Sequence, residues 1–211
     1  MKILLFDIND ELIKEAKRLE KYDITSIKID VNNLVKDKKL DFIVSPANSF
    51  GYLDGGIDSL YMKLFPGIQS TVQNTIKNIG LETKSKKYYL PVGSAITVPT
   101  CHKNCPNLIS SPTMFMPEDI NGTRNVTYSF LSILYIAKKN PDKVIACPGL
   151  GTGVGHINPK ECIDSMEYAL ENYNKLMRKH KNKLRYYDDT NLIYNKILCK
   201  QPNTWTSNDI P

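Results

Sequence analysis

No apolar run in this sequence approaches the ~20 residues that cross a bilayer as a helix. The longest, such as Ile3-Leu4-Leu5-Phe6, suit buried strands instead. The first residues lack the basic stretch and apolar core of a secretory leader, so a cytoplasmic chain with no membrane partner is expected. Cysteine is sparse: Cys101, Cys105, Cys147, Cys162 and Cys199 are odd in number and loosely spaced. They do not read as a disulfide framework, and reduced thiols are expected. Histidine is scarcer still, with three residues. Cys101, His102 and Cys105 stand together, but no second ligand pair follows at useful spacing, and zinc normally takes four ligands. No metal and no cofactor is expected. The Gly-x-x-x-x-Gly-Lys-Ser/Thr pattern is missing, which excludes a P-loop, and so is Gly-x-Gly-x-x-Gly. No basic run is interleaved with aromatics in the manner of a nucleic-acid module, so a nucleic-acid partner has no motif to support it.

What the sequence has is an ordinary globular balance. Its 211 residues are 41% hydrophobic, enough for one good-sized core. The net charge of +6 rests largely on lysine, clustered at Lys36-Lys38-Lys39, Lys84-Lys86-Lys87 and from Lys175 to Arg185. Such a surface tolerates anionic partners, although a solvated lysine-rich face is the plainer reading. One domain over residues 1–180 is expected, followed by a tail over 181–211. That tail is polar and tyrosine-rich, and either docks through Tyr186, Ile193, Leu198 or Trp205 or stays partly disordered. A monomer is the default.

Strands and helices alternate. Strands are predicted at Lys2–Asp7, Thr25–Asp30, Asp41–Ser45, Ser94–Val98, Leu108–Ser111 and Lys143–Cys147. Helices are predicted from Glu11 to Tyr22, capped by Asn9 or Asp10, and over Asn125–Lys139. A third runs from Gly56 to Ile79 with a break at Pro66-Gly67, and a fourth from Pro159 to about Lys179. The pattern implies an α/β domain with helices on both faces of a mixed, largely parallel sheet.

Two loops follow strands and precede helices, the position where open α/β sheets bind ligands. In the first, Ser45 to Asp58, amide, carboxylate and glycine crowd together as Asn48, Gly51, Asp54, Gly55, Gly56 and Asp58. Asn48 can donate to and accept from sugar hydroxyls. Asp58 suits a helix start, where a capping or first-turn acid is the commonplace role. In the second loop, Gly149, Gly151, Gly153 and Gly155 occupy alternate positions. Their backbone N–H groups, with the helix N-terminus beyond, form an anion nest suited to a diphosphate, and Thr152 adds a hydroxyl.

Together these stretches resemble the macro domain family. The first family motif, N-A-A-N-x-x-L-x-G-G-G-G-V-D-G, is similar to Ser45-Pro46-Ala47-Asn48 through Gly55-Gly56-Ile57-Asp58. The second, P-A-I-S-T-G-V-Y/F-G, is similar to Pro148 through Gly155. The acidic D-I pair resembles Asp30-Val31. The resemblance covers residues 1 to 178, and stretches such as "LPVGSAITVPT" and "SSPTMFMPEDI" resemble a subgroup from bacteria, phages and large viruses. It implies a three-layer α/β/α sandwich and ADP-ribose as ligand. It implies that Asp30 accepts from the adenine amino group beside Val31. Asn48 would hold the distal ribose, Ala47, Gly55, Gly56 and Ile57 would bind the ligand beside it, and Gly151, Thr152, Gly153, Val154 and Gly155 would hold the diphosphate. The family's loop-two aromatic is replaced by Gly155, which leaves Phe50 or Tyr52 to supply that face.

The implied activity is hydrolysis at the distal ribose C1″ of ADP-ribosylated protein or ADP-ribose 1″-phosphate. Asp58 would activate water and Asn48 would hold the ribose. His156 is a second acid–base candidate, weighed against a surface loop histidine. Two alternatives stand beside this reading: a reader that binds ADP-ribose without chemistry, and a nucleic-acid or protein interaction module. Cys147 sits at a strand end beside the glycine loop as a nucleophile candidate, against the safer reading of a buried core thiol.

Overall fold

The computed structural model describes residues 1–180 together with a two-residue strand at Tyr186–Tyr187. The expected docking contacts of Ile193, Leu198 and Trp205 lie outside the described residues. The chain begins with β1 (Lys2–Asp7), α1 (Asp10–Ala16), a short 3₁₀ segment (Lys17–Tyr22) and β2 (Ile24–Lys28). It continues through α2 (Val31–Asp37), β3 (Phe42–Ser45), α3 (Gly56–Leu64) and α4 (Ile68–Ile79). A small hairpin of β4 (Leu81–Glu82) and β5 (Tyr88–Tyr89) precedes the long antiparallel pair β6 (Ala95–His102) and β7 (Cys105–Ser110). Then come α5 (Asn125–Lys139), β8 (Val144–Cys147), α6 (Pro159–Glu171), α7 (Tyr173–His180) and the added strand β9 (Tyr186–Tyr187).

Six strands run in the order β2-β1-β8-β3-β7-β6, and β9 extends the β6 edge. Every neighbouring pair is parallel except β6 with β7. Side chains alternate across the pleat, so each central strand feeds two cores. In β8, Ile145 and Cys147 pack against the layer of α1, α5 and α6, while Ala146 faces the layer of α2, α3 and α4. In β3, Val44 joins the first core and Ile43 the second. Burial on both faces is why these strands read as continuous apolar runs. The architecture is the mixed, mostly parallel α/β sandwich expected from the alternation.

The local predictions differ from the structure where side chains compete with propensity. Residues 17–22 continue α1 as a 3₁₀ turn that ends at Asp23 in the left-handed region. The strand expected to reach Asp30 stops at Lys28, because Asp30 caps α2, a helix the apolar spacing did not reveal. β6 and β7 are longer than predicted and meet in a tight turn at Lys103-Asn104, so the Pro/Cys/Asn-rich stretch is hairpin and not open loop. The last predicted helix breaks at Asn172 into α6 and α7. Cys105, Cys147 and Cys162 are free and buried. Cys101 is disulfide-bonded, so the expectation of reduced thiols throughout fails at that position.

Candidate functional site

β3 and β8 are neighbours in the sheet and point the same way. Their carboxyl ends therefore deliver the two glycine-bearing loops, a hundred residues apart in sequence, to one place. With the ends of β1 and β2 they enclose a cavity of about 530 Å³. Asp30 and Val31 line one side, and Ala47, Asn48, Gly55, Gly56, Ile57 and Asp58 another. Gly151, Thr152, Gly153, Val154 and Gly155 close the third. His156 is not part of the lining: its ring is 68% exposed and its Nδ1 stands 3.5 Å from Asp119 Oδ2.

Loop two is built by mutual approach of backbone. A β-carbon on Gly155 would stand 2.6 Å from the Gly151 carbonyl oxygen, and one on Gly149 would stand 2.6 Å from Leu12 Cδ1. Gly153 is different, because a β-carbon there would meet no atom within 4 Å. The loop is braced by Ile157 N–H donating to Gly151 O (3.1 Å), His156 N–H to Gly153 O (3.0 Å) and Ile120 N–H to Gly155 O (3.1 Å). The backbone N–H groups from Thr152 to Gly155 donate to no acceptor among the described residues. Consecutive free amides lining a cavity form an anion site, since each supplies a fixed partial positive charge. α6 begins just beyond, with Asn158 capping it and Pro159 in its first turn.

Asp58 lies in the first turn of α3, yet it does not cap the helix. Gly55 is the N-cap residue, and no side chain bonds there. The Asp58 carboxylate turns inward instead, 7% exposed, and its Oδ1 accepts from Ser45 Oγ at 2.6 Å. Burial pushes the Asp58 carboxyl up to about 7; the Ser45 hydroxyl pulls it down and the Asp54 charge nearby adds a further rise. A carboxylate that titrates near neutrality at the edge of a cavity is suited to proton transfer.

Asn48 is more committed than its sequence suggests. Its Oδ1 accepts from Phe50 N–H at 3.0 Å and Tyr52 N–H at 3.5 Å, and its Nδ2 donates to Tyr52 O at 3.3 Å. The side chain thus folds loop one around itself and keeps one N–H for a guest, so it acts there as a donor. Asp30 caps α2 by accepting from the N–H groups of Asn32 (2.9 Å) and Asn33 (3.1 Å) and from Asn33 Nδ2. These donors, the Asn33 backbone foremost, hold its carboxyl below the ordinary range, so it stays charged.

Of the two aromatic candidates, Tyr52 lines the cavity. Phe50 turns away into a cluster with Phe115 (5.0 Å between ring centroids) and Tyr89 (6.3 Å). Cys147 is fully buried and burial drives its thiol well above the ordinary value, which leaves it a core residue. His102 Nδ1 accepts from Asn104 N–H and Cys105 is buried, so they do not converge with Cys101 on an ion. Among the described residues no group of three metal-ligating side chains forms.

Sequence reading missed one wall altogether. Asp7, the last residue of β1, and Ile8 and Asn9 just after it line the cavity, and Ile8 is 70% exposed. Thr113, Met114 and Pro117, after β7, line it as well. The signal for the first group was its position, since the end of a central parallel strand is where ligands sit. A family model described as Macro domain matches residues 44–166, more than half of the chain. The chain belongs to the macro domain family. An uncharacterized protein of Aquifex aeolicus is 30% identical to this macro domain chain over 131 residues, 62% of this chain and 72% of the relative. The macrodomain of Thermus aquaticus DarG is similar in structure, with a TM-score of 0.53 at 14% identity over 74% of this chain and 93% of that one. The macrodomain of Mycobacterium tuberculosis DarG gives 0.51 at 14% identity, over 73% and 92%. The Oceanobacillus iheyensis macrodomain with ADP also gives 0.51 at 14% identity, over 79% and 86%. At such identities the solved structures speak for the fold.

Proposed function

We propose that this macro domain binds ADP-ribose in the 530 Å³ cavity and hydrolyses ADP-ribosyl bonds at the distal ribose C1″. The observation that carries the reading is the pairing, in one cavity, of the amides from Thr152 to Gly155, which donate to no acceptor among the described residues, with a buried carboxylate at Asp58. The amides receive the diphosphate. Asp30 faces the adenine end, and the remaining Nδ2 hydrogen of Asn48 is donated to a ribose hydroxyl. As the bond from C1″ to the leaving group breaks, the leaving atom takes the electron pair and positive charge grows on the ribose. Water oxygen bonds to C1″ while the Asp58 carboxylate accepts its proton. Asp58 then releases that proton to solvent, from which the leaving group takes one up, so the products are ADP-ribose and the protonated leaving group. His156 is given no step, because its ring is turned to solvent and Asp119.

Calorimetry with ADP-ribose, against AMP and ATP as controls, tests the binding. Selective binding of ADP-ribose is expected, and no heat at millimolar ligand would end the reading. Asp58→Ala then separates an enzyme from a reader. Turnover of an ADP-ribosylated protein or of ADP-ribose 1″-phosphate should fall by ~10² to 10⁴-fold, the usual worth of positioned proton transfer, while ADP-ribose still binds. If neither substrate turns over in the unaltered chain, it is a reader.

A further inference from the structure

Ser45 closes β3, and the pleat places it on the same face as Ile43, toward α3. That position is closed to bulk solvent, so a hydroxyl there needs a hydrogen-bond partner. Ser45 is fully buried and is not part of the cavity lining. It therefore stands behind Asp58 and would not touch a ligand. Its Oγ donates to Asp58 Oδ1 at 2.6 Å, at the short end for a hydroxyl and a carboxylate.

Both ends of this contact are fixed independently. The Ser45 carbonyl accepts from Ser111 N–H at 3.0 Å, and the strand is in parallel register with β7 through Ser110. On the other side, the buried Tyr61 donates its hydroxyl to Val44 O at 2.9 Å, one helical turn beyond Asp58. α3 is thus tied to β3 at two successive residues, Val44 and Ser45. Asp58 Oδ2 has no hydrogen-bond partner among the described residues, and the residue lines the cavity. One oxygen is held by the fold and the other is left for a guest.

From this geometry we infer that Ser45 is the positioning residue of Asp58: it fixes the carboxylate with one oxygen toward the cavity. The inference rests on the hydrolase reading for its consequence, but the contact can be tested without turnover. A hydrogen bond given only to the charged form favours that form, so Ser45 works against the burial that would otherwise keep Asp58 protonated. A hydroxyl-free residue at 45 leaves the carboxylate buried with no internal donor.

The test is a carbon-detected NMR titration of the Asp58 carboxyl in the full, ligand-free chain, comparing the unaltered protein, Ser45→Ala and Ser45→Thr. The Asp58 midpoint should rise by about one to two pH units in Ser45→Ala, the worth of a hydrogen bond to a charged group. Ser45→Thr keeps the hydroxyl and should bring the midpoint back. In the hydrolysis assay the acid limb of the pH–rate profile should move by the same amount in Ser45→Ala. ADP-ribose affinity should stay within about threefold, since Ser45 does not reach the cavity. An unmoved midpoint in Ser45→Ala, or a Ser45→Thr midpoint equal to that of Ser45→Ala, overturns the inference. No turnover in the unaltered chain would instead sink the hydrolase reading and leave the titration result standing, and full turnover in Asp58→Asn would sink only the role of Asp58 as base.

Discussion

At the level of single residues, loop two divides its glycines by what each would strike. A methyl at Gly155 meets a backbone oxygen that cannot move aside, whereas a methyl at Gly153, a residue of the cavity lining, meets no atom within 4 Å. Gly155→Ala should therefore lose about 1–3 kcal/mol of stability, as overpacking does, with a lower melting temperature. Gly153→Ala should melt close to the unaltered protein and yet bind ADP-ribose at least tenfold more weakly by calorimetry. Equal melting losses for the two variants would contradict this division. Asn48 carries a similar lesson. Its type suggested a sugar contact, but three of its four hydrogen-bonding capacities have gone into shaping its own loop.

At the scale of elements, Asp30 has two duties that can be separated. As the N-cap of α2 it satisfies two backbone donors, and replacing a cap by alanine costs about 1 kcal/mol. Asparagine caps nearly as well, so Asp30→Asn should leave urea unfolding almost unchanged, while Asp30→Ala lowers the midpoint. If the charge also serves the adenine end of a ligand, both variants should weaken ADP-ribose binding. A loss in Asp30→Ala alone would assign Asp30 to the helix only. The sequence showed the acid and its neighbour but not the helix, because Val31, Leu34 and Val35 give only one and a half turns of pattern. By contrast, Pro66-Gly67 announced the break between α3 and α4, and Gly67 takes the left-handed conformation that break needs.

For the whole molecule, Asp58 couples the site to stability. Its carboxyl rises from the usual 3.8 to about 7 on folding. The folded chain thus binds this proton more readily than the unfolded one. The associated stability is fully present below about pH 4 and is lost as pH rises through 7. Each pH unit of that shift is worth about 1.4 kcal/mol, so the buried charge costs a few kcal/mol at pH 8. Asp58→Asn should accordingly melt higher than the unaltered chain at pH 8, and the difference should close as pH falls toward 5. A constant difference across that range would mean that Asp58 is not charged at the higher pH. This is the pattern of a site held at the expense of the fold.

Local chemistry in the chain was enough to mark most of its elements: the apolar runs of strands buried on both faces, a cap at Asn9 or Asp10, Pro159 in a first turn, and the glycine spacing of loop two. It was also enough to mark Asp30, Asn48 and Asp58 as candidates. Tertiary structure alone decided which of these meet. The neighbouring of β3 and β8 is a matter of strand order, and strand order leaves no trace in either segment. The assembly of the whole sheet and its loops brought Asp7, Ile8 and Asn9 to the cavity from the far end of the sequence and left His156 outside it. It also set Asp58 against Ser45, thirteen residues apart, which turned a plausible helix cap into a buried carboxylate titrating near neutrality. The physical reason is that burial and charge–charge distance are properties of assembled surroundings, and no residue carries them by itself.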